Sequence, residues 1–127
     1  MRRLALGLGL LALSACAQQT PQDTIYAVFF QDFSSNLDAP GLAIVANAAA
    51  AANAHPTYTV EVTGFADQVG TPQQVIDLSK ARADAVANLL QRDGVDAARI
   101  KRDAIGTPPN SQPGVERRRV TIFLDSP

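Results

Sequence analysis

Arg2 and Arg3 precede an unbroken apolar run from Leu4 to Leu13, then Ser14, Ala15 and the chain's only cysteine, Cys16. This arrangement decides how much chain is left to fold. A hydrocarbon core about 30 Å thick needs roughly 20 apolar residues to be spanned, so the run reads as the removable core of a signal peptide covering residues 1–15. Its loss takes two of the 11 basic residues and none of the 12 acidic ones, leaving nine against twelve and a net charge of −3. A mildly acidic chain lacks the basic face that nucleic-acid binders require, so no nucleic-acid partner is expected. About a hundred residues then remain, enough for one hydrophobic core but not two.

The four residues Leu13-Ser14-Ala15-Cys16 resemble the bacterial lipobox. The resemblance implies that Cys16 is lipidated, with acyl chains such as palmitate holding the protein to a membrane without a transmembrane helix. Acylation also removes a thiol that has no disulfide partner in an oxidising compartment. Ala17 follows the cysteine, and by similarity to enterobacterial sorting this implies the periplasmic face of the outer membrane. Residues 16–24, polar with one proline, read as the lipidated cysteine and a tether. At no more than about 3.6 Å per residue, its eight residues after the cysteine reach less than about 30 Å.

Residues 25–127 read as one domain. The run Ile-Tyr-Ala-Val-Phe-Phe at 25–30 predicts a buried first strand. Asp38 or Ser35 is placed to cap a helix over about 40–54, whose alanine run lets it lie close to a sheet. His55-Pro56 stops it, and residues 58–63 alternate with Tyr58, Val60 and Val62 on one face, a second strand. After the loop 64–70, Thr71-Pro72 opens a second helix that ends near Arg92, before Asp93-Gly94. A weakly patterned third strand over 98–105 and a fourth over 118–124 flank a loop rich in proline and glycine. The order strand, helix, strand, helix, strand, strand predicts an α+β sandwich, with two helices packed on one face of a mixed four-stranded sheet.

Arg82 stands out. At about 100° per residue it falls inside the apolar stripe of the second helix, between Leu78 and Leu89 on one side and Val75 and Val86 on the other. A guanidinium on a core face needs a partner or a pocket, because an uncompensated buried charge costs several kcal/mol. Asp67, in the loop leading into this helix, is the candidate partner. The alternative is a position at the stripe's edge, with the stem packed and the head in water.

At these residues the sequence resembles the OmpA-like domain of porin tails, the peptidoglycan-associated lipoprotein and flagellar stator proteins. That family reads Gly-His-Thr-Asp, two residues, Gly, three residues, Tyr-Asn, two residues, Leu-Ser, two residues, Arg-Ala. Here Gly64, Asp67, Gly70, Leu78, Ser79, Arg82 and Ala83 stand in register without a gap. Residues 30–37, the pairs Gly94-Val95 and Arg99-Ile100, and Arg117-Arg118-Arg119-Val120, which matches the family's Asn-Arg-Arg-Val, extend the resemblance over nearly the whole domain. The resemblance implies a β-α-β-α-β-β sandwich that binds the diaminopimelate of the peptidoglycan stem peptide. Its Asp and Arg map onto Asp67 and Arg82, with Gly64, Phe65, Gly70, Ser79 and Arg118 as possible supporting residues. One carboxylate accepts from the ligand's ammonium while a guanidinium forks onto its carboxylate. Phe65-Ala66, Gln74-Val75 and Arg117 depart from the family's His-Thr, Tyr-Asn and Asn, and Val75 cannot replace an amide that both donates and accepts.

No catalytic set accompanies these residues. One histidine and one cysteine are too few for a zinc site or a Ser-His-Asp hydrolase, and His55 reads as a helix C-cap. Asp32, Asp38, Asp67 and Asp77 show no spacing that requires a carboxylate pair. The adjacent Arg117, Arg118 and Arg119 point to both faces of a strand; one is expected to pack or pair internally and the others to be solvated. The expectation is therefore a non-catalytic tether without metal or cofactor, or, with the same fold, a protein-interaction module with envelope partners and weak or lost peptidoglycan binding.

Overall fold

A computed structural model describes residues 24–127. The expected signal peptide, the expected lipidation site Cys16 and the expected tether before Thr24 lie outside them. The elements are β1 (Thr24–Phe29), α1 (Ala39–Ala54), β2 (Thr59–Phe65), α2 (Pro72–Arg92), β3 (Ile100–Gly106) and β4 (Arg119–Asp125), with single 3₁₀ turns at Ala97–Arg99 and Val115–Arg117.

The sheet order is β1-β4-β2-β3. β4, last in sequence, lies inside the sheet, antiparallel to both β1 and β2, while β2 and β3 run parallel. The expected α+β sandwich is the observed one. The alternating Val60 and Val62 of β2 and Val120, Ile122 and Leu124 of β4 are buried with Val45, Ala48, Ala49 and Ala52 of α1 and Val86, Ala87 and Leu90 of α2.

Asp38 is the residue that caps α1, its Oδ1 accepting from the Gly41 amide at 2.9 Å. α2 starts with a reciprocal capping box between Thr71 and Gln74. His55 is the C-cap of α1, as expected, and Arg99 brings a cation to this helix end. Arg99 Nη2 donates to the carbonyls of Ala52 and His55, and its Nε to that of Tyr58. His55 supplies the C-cap backbone and stacks on the Tyr58 ring at 4.6 Å.

Three expectations need correction. β1 is an edge strand and not a buried one: Ile25 is 67% and Phe29 43% exposed, on the sheet face that carries no helix. β3 begins at Ile100, after a 3₁₀ turn capped by Asp96. It is the opposite edge, which explains its weak pattern, since charged Lys101, Arg102 and Asp103 suit an exposed edge. The buried face of α2 is also rotated from the Leu78–Leu89 line: Val75, Ser79, Arg82, Ala83, Val86, Ala87 and Leu90 face inward, while Leu78 and Leu89 are half-buried. The small residues Ser79, Ala83 and Ala87 carry little weight in a hydrophobic pattern, yet they let the helix approach β2. A Cβ at Gly64 would collide with the Ser79 carbonyl.

Candidate functional site

The C-terminal ends of β1 and β2 and the start of β4 share one end of the sheet, because Phe29 pairs with Arg119 and Gly64 with Val120. The loops leaving these strands bring the sequence-predicted residues together there.

Arg82 is wholly buried, at 0% exposure. Its Nε donates to Ser34 O at 2.8 Å, Nη1 to Phe65 O at 3.1 Å and Nη2 to Gln31 O at 3.0 Å. The guanidinium also lies 5.3 Å from the centre of the Phe30 ring. One side chain of α2 thus ties the β1–α1 loop to the end of β2. The carbonyl dipoles satisfy a charge that hydrocarbon alone would not. Burial, with Arg118 nearby, lowers its pKa, and Asp32 opposes this.

Asp67 was the expected partner of Arg82, but it pairs elsewhere. Its Oδ1 accepts from the Gln68 amide at 2.8 Å and from Arg117 Nη1 at 3.2 Å. Desolvation raises the carboxyl's pKa, but hydrogen bonds from the Gln68 amide, Arg117 and the Gly114 amide outweigh it and hold the group below its ordinary value. Arg117 is fixed in turn by Ser111: Nε donates to Ser111 Oγ at 3.0 Å and Nη2 to the Ser111 carbonyl. Ser111 Oγ donates to Pro108 O, which closes the loop on itself. Gly114, at φ +119°, turns this loop into the 3₁₀ turn that delivers Arg117, a conformation that side chains disfavour.

Each of the three adjacent arginines has a defined partner. Arg118 Nη1 meets Asp32 Oδ1 at 2.9 Å and its Nε donates to Phe30 O. Arg119 lies 4.9 Å over the Phe65 ring and donates to Glu116 O. The expectation of one paired and two solvated arginines is therefore replaced by three partnered ones.

Among the supporting candidates, Ser79 is a strut: its Oγ donates to Ile76 O and accepts from the Gly106 amide. Gly64 is the point of close helix approach and Gly70 the turn before α2, at φ +80°. The departures at 74 and 75 have local explanations. Gln74 completes the capping box, and Val75 lines an open cleft of about 390 Å³ with Gln68, Ile76 and Ile105. Sequence reasoning missed the pairing of Asp67 with Arg117 and the role of Ser111. No local signal marks contacts made across the whole fold. Among the described residues, no group of three His, Cys, Asp or Glu side chains is placed to hold a metal ion, and no helix is long and apolar enough to cross a membrane.

The model of the OmpA family matches residues 29–118. The chain belongs to the OmpA family. A relative in Escherichia coli K12, the probable lipoprotein YiaD, is 33% identical over 104 residues, covering 76% of this chain and 47% of the relative. The peptidoglycan-associated lipoprotein of Pasteurella multocida is 34% identical over 88 residues, covering 69% of this chain and 59% of that protein. This OmpA-family chain thus spans about half the length of the relatives that it matches. Among solved structures, the OmpA-like domain of FopA1 from Francisella tularensis superposes with a TM-score of 0.74 at 23% identity, covering 83% of this chain and 73% of that one. The peptidoglycan-associated lipoprotein of Burkholderia pseudomallei gives 0.70 at 22% identity, covering 79% and 90%. At these identities the likeness establishes the fold.

Proposed function

We propose that this OmpA-family chain is an envelope tether. In this reading Cys16 holds it by lipid to the periplasmic face of the outer membrane, and its domain binds peptidoglycan non-covalently through the diaminopimelate of the stem peptide. Relatives named as peptidoglycan-associated lipoproteins support the coarse form of the reading.

The observation that carries it is polarity along the strands. Asp67, Asp32, Arg117 and Arg118 cluster at one end of the sheet, whereas the chain arriving from Cys16 enters at Thr24, paired with Leu124 at the other. A six-residue strand separates the two ends by about 20 Å. A zwitterionic ligand suits an acid beside guanidiniums. Asp67 accepts from the ligand's ammonium. Arg82, enclosed under three carbonyls, serves as a positioning residue: it shapes this end of the sheet through the loop it holds, in place of the direct fork onto the ligand that the family resemblance implies.

Co-sedimentation of the chain from Cys16 onward with purified sacculi tests this. The wild type is expected to sediment, and Asp67→Ala to bind about tenfold more weakly, since a charge-assisted hydrogen bond contributes about 1.5–3 kcal/mol. Equal retention would overturn the role of Asp67, and no retention of the wild type would overturn peptidoglycan binding.

One observation favours a second reading, a protein-interaction module of an envelope assembly. Ile25 and Phe29 are exposed on the helix-free face of the sheet. Crosslinking in intact cells separates the two, because a protein partner gives discrete bands and the wall does not.

A further inference from the structure

We propose that Arg117 is the specificity-determining residue beside Asp67, making the site select ligands that carry an ammonium and a carboxylate on the same carbon. The inference rests on the peptidoglycan reading above. It concerns what a ligand must bring in order to displace an existing ion pair.

Asp67 and Arg117 are already partners at 3.2 Å, with side-chain exposures of 26% and 16%. A ligand ammonium that takes Asp67 must therefore displace Arg117. If the ligand bears only that ammonium, Arg117 is left largely out of water without an anion, which offsets the new bond. If a carboxylate sits beside the ammonium, one ion pair is exchanged for two, and neither protein charge is orphaned.

Arg117 is built for this exchange. Ser111 holds Nε and Nη2, so the guanidinium keeps its place when Nη1 turns from Asp67 to the ligand. Three of its five N–H donors are used by Asp67 and Ser111, which leaves others for a carboxylate. The neighbouring cations lack these features. Arg82 is wholly buried with its bonds to carbonyls, and Arg118 pairs with Asp32, whose side chain is 69% exposed and is readily solvated when released.

Two synthetic stem tripeptides provide the test, one ending in meso-diaminopimelate and one in lysine, which keeps the side-chain ammonium and lacks its carboxylate. Calorimetric titration of the chain from Cys16 onward is expected to show at least about a tenfold preference for the diaminopimelate peptide. In Arg117→Gln the preference is expected to shrink to about twofold or less, with the lysine peptide bound no more weakly than by the wild type. An unchanged preference in Arg117→Gln would overturn the role of Arg117 while the peptidoglycan reading stands. Failure of both peptides to bind any form of the protein would overturn that reading itself. Should Arg117→Gln not fold, Ser111→Ala takes its place: loosening the guanidinium lowers affinity for the diaminopimelate peptide severalfold and spares the lysine peptide. Unaltered affinity for both peptides in that variant would overturn the proposal.

Discussion

Asp67 and Arg117 stand 50 positions apart in the chain, yet Arg117 Nη1 lies 3.2 Å from Asp67 Oδ1, so the acid leading into α2 is held by the arginine just before β4. This pair and the carbonyl-bound Arg82 lie at the same end of the sheet. In the proposed reading the half-buried pair exchanges charge with the ligand, and the wholly buried cation fixes the loops around it.

The Asp67 carboxyl should make stability depend on pH in a known direction. Its folded pKa lies below the ordinary value of 3.8, so the folded state is favoured by its ionisation above that value, and this contribution disappears as pH falls through the lowered pKa. Thermal unfolding between pH 7 and pH 2 is expected to show a shallower loss of Tm for Asp67→Asn than for the wild type. Parallel curves would contradict the assignment.

Arg82→Met should be strongly destabilising although it replaces a buried charge with an apolar chain of similar length. The substitution leaves the carbonyls of Gln31, Ser34 and Phe65 without their donor. The Phe65 carbonyl is buried and those of Gln31 and Ser34 partly so, and an orphaned buried group costs about 1–3 kcal/mol, so urea unfolding is expected to show a loss of about 3–5 kcal/mol. A loss under about 1 kcal/mol would mean that the loop re-solvates its carbonyls at little cost.

At the C-terminus of α1, Arg99 and His55 offer a contrast. Arg99→Ala removes three hydrogen bonds to backbone carbonyls and a cation from a helix end. It is expected to lower stability by about 1–2 kcal/mol, whereas His55→Ala, which loses only a ring stack, lowers it by about 0.5 kcal/mol. Denaturant titration of both variants checks the order.

The elements were legible because their signals are local. Thr71 and Gln74 announce the start of α2 by a capping box within one turn, and Val120, Ile122 and Leu124 reveal the buried face of β4 through a period of two. The edge position of β1 was not legible. Its run of apolar residues reads the same whether one neighbour flanks it or two; the insertion of β4 between β1 and β2 makes it an edge, and the lack of a helix on one face of the sheet leaves Ile25 and Phe29 exposed. The inward turn of Ser79, Ala83 and Ala87 was hidden likewise, since small side chains are recruited by close approach at Gly64 and not by hydrophobicity.

By itself the sequence determined the short apolar run ending at a lone cysteine, the order and type of the strands and helices, the family register from Gly64 to Ala83, and the placing of a cation within the apolar stripe of α2 or at its edge. Periodicity, capping and motif spacing are properties of neighbours along the chain. Tertiary structure alone decided the partners: Arg82 with three carbonyls, Asp67 with Arg117, Arg99 with the end of α1. A charged group goes to whichever opposite charge or dipole the packed backbone brings within about 3 Å, and that choice is made only when loops distant in sequence close on the same end of the sheet.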